Sequence, residues 1–477
     1  MSAVAPLPVP DPSVGAREKA KVLLSRALGP SKVVADRDAC ERFASDDSDV
    51  PGRTPDVVVL AETTEDVERA LAVAREAGVP ITPRAGGTGR TGGATPVAGG
   101  IVLSMLGMNA IVDIDRRERV AVVEPGVVLA DFHAAVEKEG LFYPPDPNSL
   151  SACTLGGNLA ENAGGPRAFK YGVTRDYVLG VEAFLLGGQH FFAGRRTTKG
   201  VTGYDVTGLL VGSEGTLAVL GRATVRLVPL PPSVTTLLAL FTSSADAMLA
   251  VSEMLARGVT PRCIEFLDEG TLDALRRAGN AVSEQAKALL IIEVDGDEAA
   301  CETQVERVGD ALQAVRALDL LVARDGAQRD KLWAARREMS PAVRKMAAHK
   351  LSEDVVVPRR ELAPLLDLVA KQTERSGIRT VAYGHAGDGN LHVNFLWGDE
   401  NERPLVERSI EQLFRDVVAL GGTLSGEHGI GLAKAPYIGL EQSDELIDLQ
   451  RELKRAFDPS GLLNPGKIFP APGHRAC

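Results

Sequence analysis

Pro83-Arg84-Ala85-Gly86-Gly87-Thr88-Gly89-Arg90-Thr91-Gly92-Gly93 is the stretch on which the fold turns. Glycines this dense allow positive φ angles and let backbone N–H groups come within hydrogen-bonding reach of an anion. The stretch follows a short β-type run, Val79 to Thr82, so its natural work is to cradle a pyrophosphate. A nucleotide-hydrolase loop would end in Gly-Lys-Ser/Thr, and there is no lysine here. Gly87-x-Gly89-x-x-Gly92 fits the dinucleotide fingerprint, but that motif must open a helix. The continuation, Gly93-Ala94-Thr95-Pro96-Val97-Ala98-Gly99-Gly100, is a poor helix start. A plain glycine-rich surface loop is the remaining alternative.

Upstream, Asp56 to Leu60 reads as a buried strand, and Thr63-Thr64-Glu65-Asp66 opens a helix with a capping box. Val67, Ala70, Leu71 and Ala74 share one face of that helix and Gly78 stops it. The loop therefore leaves a β-α-β unit at a strand end, where ligands of α/β layers commonly bind. Downstream, 101–104, 111–114 and 120–124 read as antiparallel strands, and Val127 to Gly140 as a helix. Residues 17–28 read as an amphipathic helix before all of this.

Two further glycine clusters follow. One runs from Pro144-Pro145-Asp146-Pro147 through Thr154-Leu155-Gly156-Gly157-Asn158 and Asn162-Ala163-Gly164-Gly165 to Lys170-Tyr171-Gly172. The other is Gly212-Ser213-Glu214-Gly215-Thr216-Leu217. Glycine within folded elements costs up to ~1 kcal/mol each, so three clusters imply a flat ligand lying close along the backbone.

On these motifs, residues from about 40 to 228 resemble the FAD-binding domain of the vanillyl-alcohol-oxidase/p-cresol-methylhydroxylase (PCMH-type) flavoproteins. Within that superfamily the chain resembles the D-2-hydroxyacid dehydrogenases, a family that includes D-lactate dehydrogenase and the catalytic subunit of glycolate oxidase. The resemblance implies an α+β fold: a two-subdomain PCMH-type FAD-binding domain and an α+β, ferredoxin-like-related cap that covers the substrate. It implies FAD contacts from Arg84, Ala85, Gly86, Gly87, Thr88, Gly89 and Gly93. Pro145, Asp146, Thr154, Gly156, Gly157, Asn158, Asn162, Gly164, Gly165, Tyr171 and Gly172 would add to them. So would Glu214, Gly215, Leu217 and, on the C-terminal return to the flavin, Asn464. Members that attach FAD covalently often carry histidine where this chain has Thr88, which implies dissociable FAD.

The chain's 477 residues suffice for two or three sizeable cores. A net charge of −11 argues against a nucleic-acid footprint or a polybasic membrane anchor. Five scattered cysteines without a CxxC suit a reducing compartment, and no apolar run approaches the length of a membrane helix. No secretory signal is readable at the start, whose proline-rich stretch Pro6 to Pro12 reads as disordered.

Pro229-Leu230-Pro231-Pro232 marks a boundary. Beyond it, strand 234–241, helix 244–257, strands 261–266 and 288–294, helix 297–315 and strand 319–323 resemble a split β-α-β layer. The expected domains are an N-terminal extension over 1–39, the FAD domain over 40–232 and the cap over 233–425. A C-terminal segment over 426–477 completes them.

Three of the chain's seven histidines fall in two short blocks, Gly384-His385-Ala386-Gly387-Asp388-Gly389-Asn390-Leu391-His392-Val393-Asn394 and Gly426-Glu427-His428-Gly429-Ile430-Gly431. His392 and Asn394 lie two apart in a strand-like run and share a face, to which the glycine turn can return His385. Two imidazoles and a carboxylate suit a divalent metal such as Zn²⁺. Hydrogen-bonded turn histidines with Glu427 on a backbone group are the alternative. The family resemblance implies that His385, His392 and Glu427 bind the metal and that His428 is the general base, a role suited to an imidazole. It also implies Arg337, with Arg336 one register away, and Lys350 as cations for a substrate carboxylate. Asn394 would hydrogen-bond the substrate.

The expected activity is oxidation of a D-2-hydroxy acid of the lactate, glycolate or 2-hydroxyglutarate type. Electrons would pass to a quinone, an electron-transfer flavoprotein, a cytochrome or an iron–sulfur subunit. A non-catalytic flavin-binding subunit of a glycolate-oxidase-like complex, or an FAD oxidase of alcohols or sugars, are the competing readings. A cytoplasmic protein, as a homodimer or peripheral at the inner membrane through its acceptor, fits these expectations.

Overall fold

The computed structural model describes residues 9–323 and 325–470, and it divides into two compact units. The start of the proline-rich stretch, up to Pro8, and Cys477 lie outside the described residues. Of the described residues, the first unit holds 9–164, Val173–Leu230 and 427–470. The second holds Gly165–Gly172 and Pro231–Gly426.

In the first unit, Val57–Leu60, Ile101–Ser104 and Ile81–Arg84 form a parallel layer in that spatial order, with Val33–Val34 antiparallel on its edge. Thr63 and Asp66 cap the helix Thr64–Ala77 reciprocally, and Gly78 closes it in the left-handed conformation. Its buried stripe of Val67, Ala70, Leu71 and Ala74 packs into one core with Ala20 and Leu24 of the helix Val14–Leu28. The N-terminal helix is thus integral to this unit. Ile101–Ser104 is not the antiparallel strand its sequence suggests. A parallel neighbour requires a crossover, and the glycine-rich loop over 85–100 is that crossover. A second, antiparallel sheet runs in the order Ile111–Asp115, Val120–Val123, Val219–Arg226, Val178–Phe184, His190–Gly194.

The C-terminal stretch closes the parallel layer's open edge. Ile81 donates its N–H to the Leu462 carbonyl at 2.9 Å, and Asn464 donates to Ile81 at 2.8 Å. The helix Asp444–Phe457 sends Lys454 inward, where its ammonium donates to Asp458 Oδ2 (2.7 Å) and to the carbonyls of Thr216 (2.7 Å) and Leu463 (2.8 Å).

The second unit is built on one seven-stranded antiparallel sheet. Its order is Asp319–Val322, Ser233–Phe241, Ala288–Gly296, Cys263–Asp268, Arg379–His385, Asn390–Trp397, His349–Val356. Glu269–Arg277 and Gly326–Arg344 pack together on one face through Leu272, Leu275, Met339 and Val343. The central strands are buried on both faces, and Ser244–Ala256, Glu298–Ala314, Leu362–Ser376 and Arg403–Ala419 supply the other helical layer. The segment Gly165–Gly172 belongs to this unit because Lys170 pairs with the fully buried Asp295, to which the Tyr171 hydroxyl also donates at 2.7 Å. Among the described residues, no helix is long and apolar enough to cross a membrane.

Removing one partner of a buried, hydrogen-bonded ion pair costs about 3–5 kcal/mol. Lys454→Met should therefore lower the unfolding midpoint of the protein by several degrees, because Asp458 is 0% exposed and would keep an uncompensated charge. A thermal midpoint indistinguishable from the parent's would show that this lysine does not tie the C-terminal segment down.

Candidate functional site

The three glycine clusters converge within the first unit. A Cβ at Gly86 would lie 2.7 Å from the Ala152 carbonyl oxygen, so the phosphate-type loop runs directly against residues 152–154. Gly157 approaches Ala85, Gly215 approaches Pro83, and Asn464 joins two clusters by donating to the carbonyls of Gly93 (3.0 Å) and Glu214 (2.8 Å). Arg84, at the strand's end, turns back to the Ser45 carbonyl at 2.8 Å. Thr88 and Gly89 continue this loop, and Pro145 and Asp146 lie beside the buried His133, which meets the Pro145 carbonyl at 2.9 Å. Leu217 is buried, and Asn162 caps the short helix Leu155–Glu161 in the left-handed conformation.

This cradle carries polar atoms suited to a ligand with many donors and acceptors. Thr154 Oγ1, Asn158 Nδ2, Ser213 Oγ and Asn464 Oδ1 are buried and have no hydrogen-bond partner among the described residues. Orphans of this kind are rare in proteins unless something else satisfies them. The donor set and the close backbone approach fit FAD. The sequence alone does not mark Ser213, because a serine between glycines reads as turn chemistry. Gly165, Tyr171 and Gly172 belong to the second unit, where the Tyr171 hydroxyl donates to Asp295.

A buried carboxylate pair accompanies the cradle. Glu214 accepts from the N–H groups of Ile430 (2.8 Å) and Gly431 (2.7 Å). Burial still holds its carboxyl above the usual range. Glu161 is raised too, by burial and then by Glu214 and Asp46. Lys467 is drawn down to about 7 by burial, against the pull of Asp46 and Glu214. The loop that these N–H groups belong to carries Glu427 and His428. His428 is one-fifth exposed, stands 4.0 Å from the Glu427 carboxylate, and its carbonyl accepts from Thr91 Oγ1 at 3.0 Å.

In the second unit, strand register gathers the polar residues. Glu265 lies opposite His385, Tyr383 opposite His392, Asp354 opposite His392, and Ser352 opposite Asn394. Opposed residues and residues two apart point to one face, so Lys350, Asp354, Glu265, Tyr383, His385, His392 and Asn394 share it. The His385 and His392 rings meet edge to face at 5.4 Å, with a nitrogen of each within 4.8 Å of the other. Each has a carboxylate behind it. His385 Nδ1 is 2.5 Å from Glu265, and His392 Nδ1 is 3.8 Å from Asp354. Asp354 also accepts from Asn390 (2.6 Å) and from the Gly426 N–H (2.9 Å), which fixes the backbone one residue before Glu427.

Lys350 Nζ reaches the Tyr383 hydroxyl at 3.3 Å, and that hydroxyl donates to Asn394 Oδ1 at 3.3 Å. Asn394 is fully buried and its amide is spent on the carbonyls of Val381 and His392, so it positions Tyr383. Arg337 is not part of this cluster. It is exposed and donates to the Asp330 carbonyl at 2.7 Å. One residue turns a helix by about 100°, and Arg336 is the position that faces inward, buried against Glu265.

Comparison with known proteins places the chain in a family. A model of an FAD-binding domain matches residues 55–193, and one of the C-terminal domain of FAD-linked oxidases matches residues 230–468. The glycolate oxidase subunit GlcD of Bacillus subtilis (strain 168) is 41% identical over 420 residues, covering 87% of this chain and 89% of its own. The D-lactate dehydrogenase of Anaerostipes hadrus is 33% identical over 455 residues, covering 93% and 96%. The structure of p-cresol methylhydroxylase with substrate bound matches 98% of this chain and 99% of its own with a TM-score of 0.80 at 16% identity. The fold is therefore the PCMH-type flavoprotein fold. The chain belongs to the FAD-linked oxidoreductase family that contains GlcD and D-lactate dehydrogenase.

If Asn158 and Ser213 face the cofactor, Asn158→Leu and Ser213→Ala should each weaken FAD binding. A lost hydrogen bond to a buried group is worth about 1–3 kcal/mol, or roughly 5- to 150-fold in the dissociation constant measured by flavin fluorescence. Unchanged affinity in both would place their orphaned atoms away from the flavin.

Proposed function

We propose that the protein oxidises a D-2-hydroxy acid to its 2-oxo acid with dissociable FAD and a divalent metal, and passes the electrons to a separate acceptor. The observation that carries this reading is the single sheet face in the second unit that collects His385, His392, Lys350 and Tyr383. It occurs in a chain with an FAD-binding cradle and relatives named for glycolate and D-lactate. An alcohol or sugar oxidase has no evident use for paired imidazoles backed by carboxylates.

His385, His392 and Glu427 would hold the ion, a donor set suited to Zn²⁺. That ion would supply Lewis acidity to the substrate. Bound FAD supplies the acceptor for the hydride from Cα. Arg336 and Lys350 bind the substrate carboxylate and orient Cα, and Tyr383 is held for the same purpose by Asn394. His428 takes the hydroxyl proton. Thr91 fixes the backbone of that histidine through its carbonyl, and the imidazole moves the proton. The electron pair of the O–H bond becomes the new C=O bond as the hydride leaves.

Thr88, in place of a linking histidine, goes with cofactor that dissociates. The acceptor would be a quinone, an electron-transfer flavoprotein, a cytochrome or an iron–sulfur subunit, since the GlcD relative is named as a subunit. The test of the reading as a whole is anaerobic bleaching of the flavin by D- and L-lactate, glycolate and D- and L-2-hydroxyglutarate. Bleaching by none of these acids would remove it.

Metal removal separates the two sites. Chelation should abolish flavin reduction while leaving FAD bound, and His392→Ala should behave like the chelated protein. Full flavin reduction in metal-free protein, checked by elemental analysis, would eliminate the metal from the reaction.

General-base catalysis is typically worth ~10²–10⁴-fold, so His428→Asn should slow flavin reduction by about that factor in stopped flow. Substrate affinity should stay near that of the parent, because the carboxylate cations and the metal hold the ground state. Reduction at the parent rate would move the base elsewhere.

A further inference from the structure

Glu265 is the one acid in the strand Cys263–Asp268 before its closing aspartate, and it is 0% exposed. Its two oxygens serve different partners from two other elements. Oε1 accepts from His385 Nδ1 at 2.5 Å, and Oε2 accepts from the Arg336 Nε–H. We propose that Glu265 is a positioning residue that orients the metal ligand His385 and the substrate cation Arg336 together, so that metal binding and substrate-carboxylate binding are coupled through one buried carboxylate. The proposal rests on the metal reading above.

An ionised carboxylate only accepts hydrogen bonds, so His385 must carry its proton on Nδ1 and its lone pair on Nε2. That is the tautomer a metal requires, with the ring plane fixed from behind.

On the other side, Glu265 takes only Nε of the guanidinium. The fork of Arg336 is left pointing onward, and its Nη2 is buried without a partner among the described residues. A planar fork held by one edge presents its remaining N–H groups in a fixed direction, which suits a bidentate carboxylate. Glu265, Arg336 and His385 are far apart in the chain, and it is the sheet register with the helix Gly326–Arg344 that brings them together.

The alternative is an ion pair that only stabilises the unit, and the two differ in their readouts. In Glu265→Gln the side chain keeps its shape but gains N–H donors. One of its former partners must then change, and a His385 that accepts at Nδ1 would carry its proton on Nε2. The experiment uses full-length, FAD-loaded protein stripped of metal by chelation, titrated with Co²⁺ in a calorimeter. Oxalate, a planar dicarboxylate that cannot be oxidised by hydride loss from carbon, is then titrated into Co²⁺-saturated protein and followed by the flavin spectrum.

Loss of a carboxylate behind a ligating histidine typically costs about 10–100-fold in metal affinity. Glu265→Gln should therefore bind Co²⁺ more weakly by about that factor and should also bind oxalate more weakly at saturating Co²⁺. Arg336→Lys, which touches no metal ligand directly, should weaken Co²⁺ binding severalfold through Glu265, and it keeps the test open should Glu265→Gln fail to fold. Co²⁺ binding at the parent affinity in either folded variant would overturn the coupling. A parent protein that takes up no Co²⁺ would instead bring down the metal reading on which the proposal stands.

Discussion

The pairing of Arg379–His385 with its two neighbours, Cys263–Asp268 and Asn390–Trp397, is the constraint from which the candidate chemistry follows. A shift of one residue in either ladder would send every side chain of a strand to the opposite face. His385 would leave Glu265 and enter an apolar layer, and His392 would part from Tyr383. The register is held by the same face's apolar end, where Leu267, Leu289, Ile291 and Val381 pack under Met339 and Val343. Apolar packing therefore determines where the charged groups stand. The polar end could not fix itself, because buried ionised groups cost several kcal/mol each before any pairing returns it.

That dependence separates what the sequence reveals from what it hides. His392 and Asn394 are legible because strand period alone places them on one face. The glycine clusters are legible because such density is costly unless a ligand lies against the backbone. Ile101–Ser104 reads as antiparallel in the sequence and is parallel in the fold, since a crossover of loop rather than helix leaves no periodic signal. Arg337 and Arg336 are adjacent letters with opposite fates, and only the rotation of the helix against the sheet separates them. Glu265 is the residue that motif reading passes over. Its signal is an acid inside the otherwise apolar run Cys-Ile-Glu-Phe-Leu, and a buried acid has to have a partner. The partner itself, 120 residues away, is not written in the local pattern.

The segment Gly165–Gly172 is placed by a single buried acid rather than by its own pattern. Its glycines and Tyr171 look like the flavin clusters around them, and pattern alone groups them together. Asp295 decides which unit they join. It is fully buried in the sheet of the second unit and takes both Lys170 and the Tyr171 hydroxyl, which satisfies a charge that would otherwise stand uncompensated. Composition marks such a stretch as unusual, while the buried carboxylate specifies where it belongs.

The block Gly426-Glu427-His428-Gly429 separates residues chosen for packing from those suited to chemistry. Gly426 ends the second unit and hands its N–H to Asp354. Gly429 lies in the first unit with φ +77°, where a Cβ would come within 2.2 Å of the Glu161 carboxylate and 3.0 Å of Glu214, so a larger residue would be strained and would displace that carboxylate pair. The next two N–H groups are then taken up by Glu214. A turn that had to be capped by its own acid would fold that carboxylate back onto its own N–H groups. Here buried acids from other segments accept those N–H groups. The backbone after His428 is therefore held by Glu214 within the first unit, and that of Gly426 by Asp354 within the second.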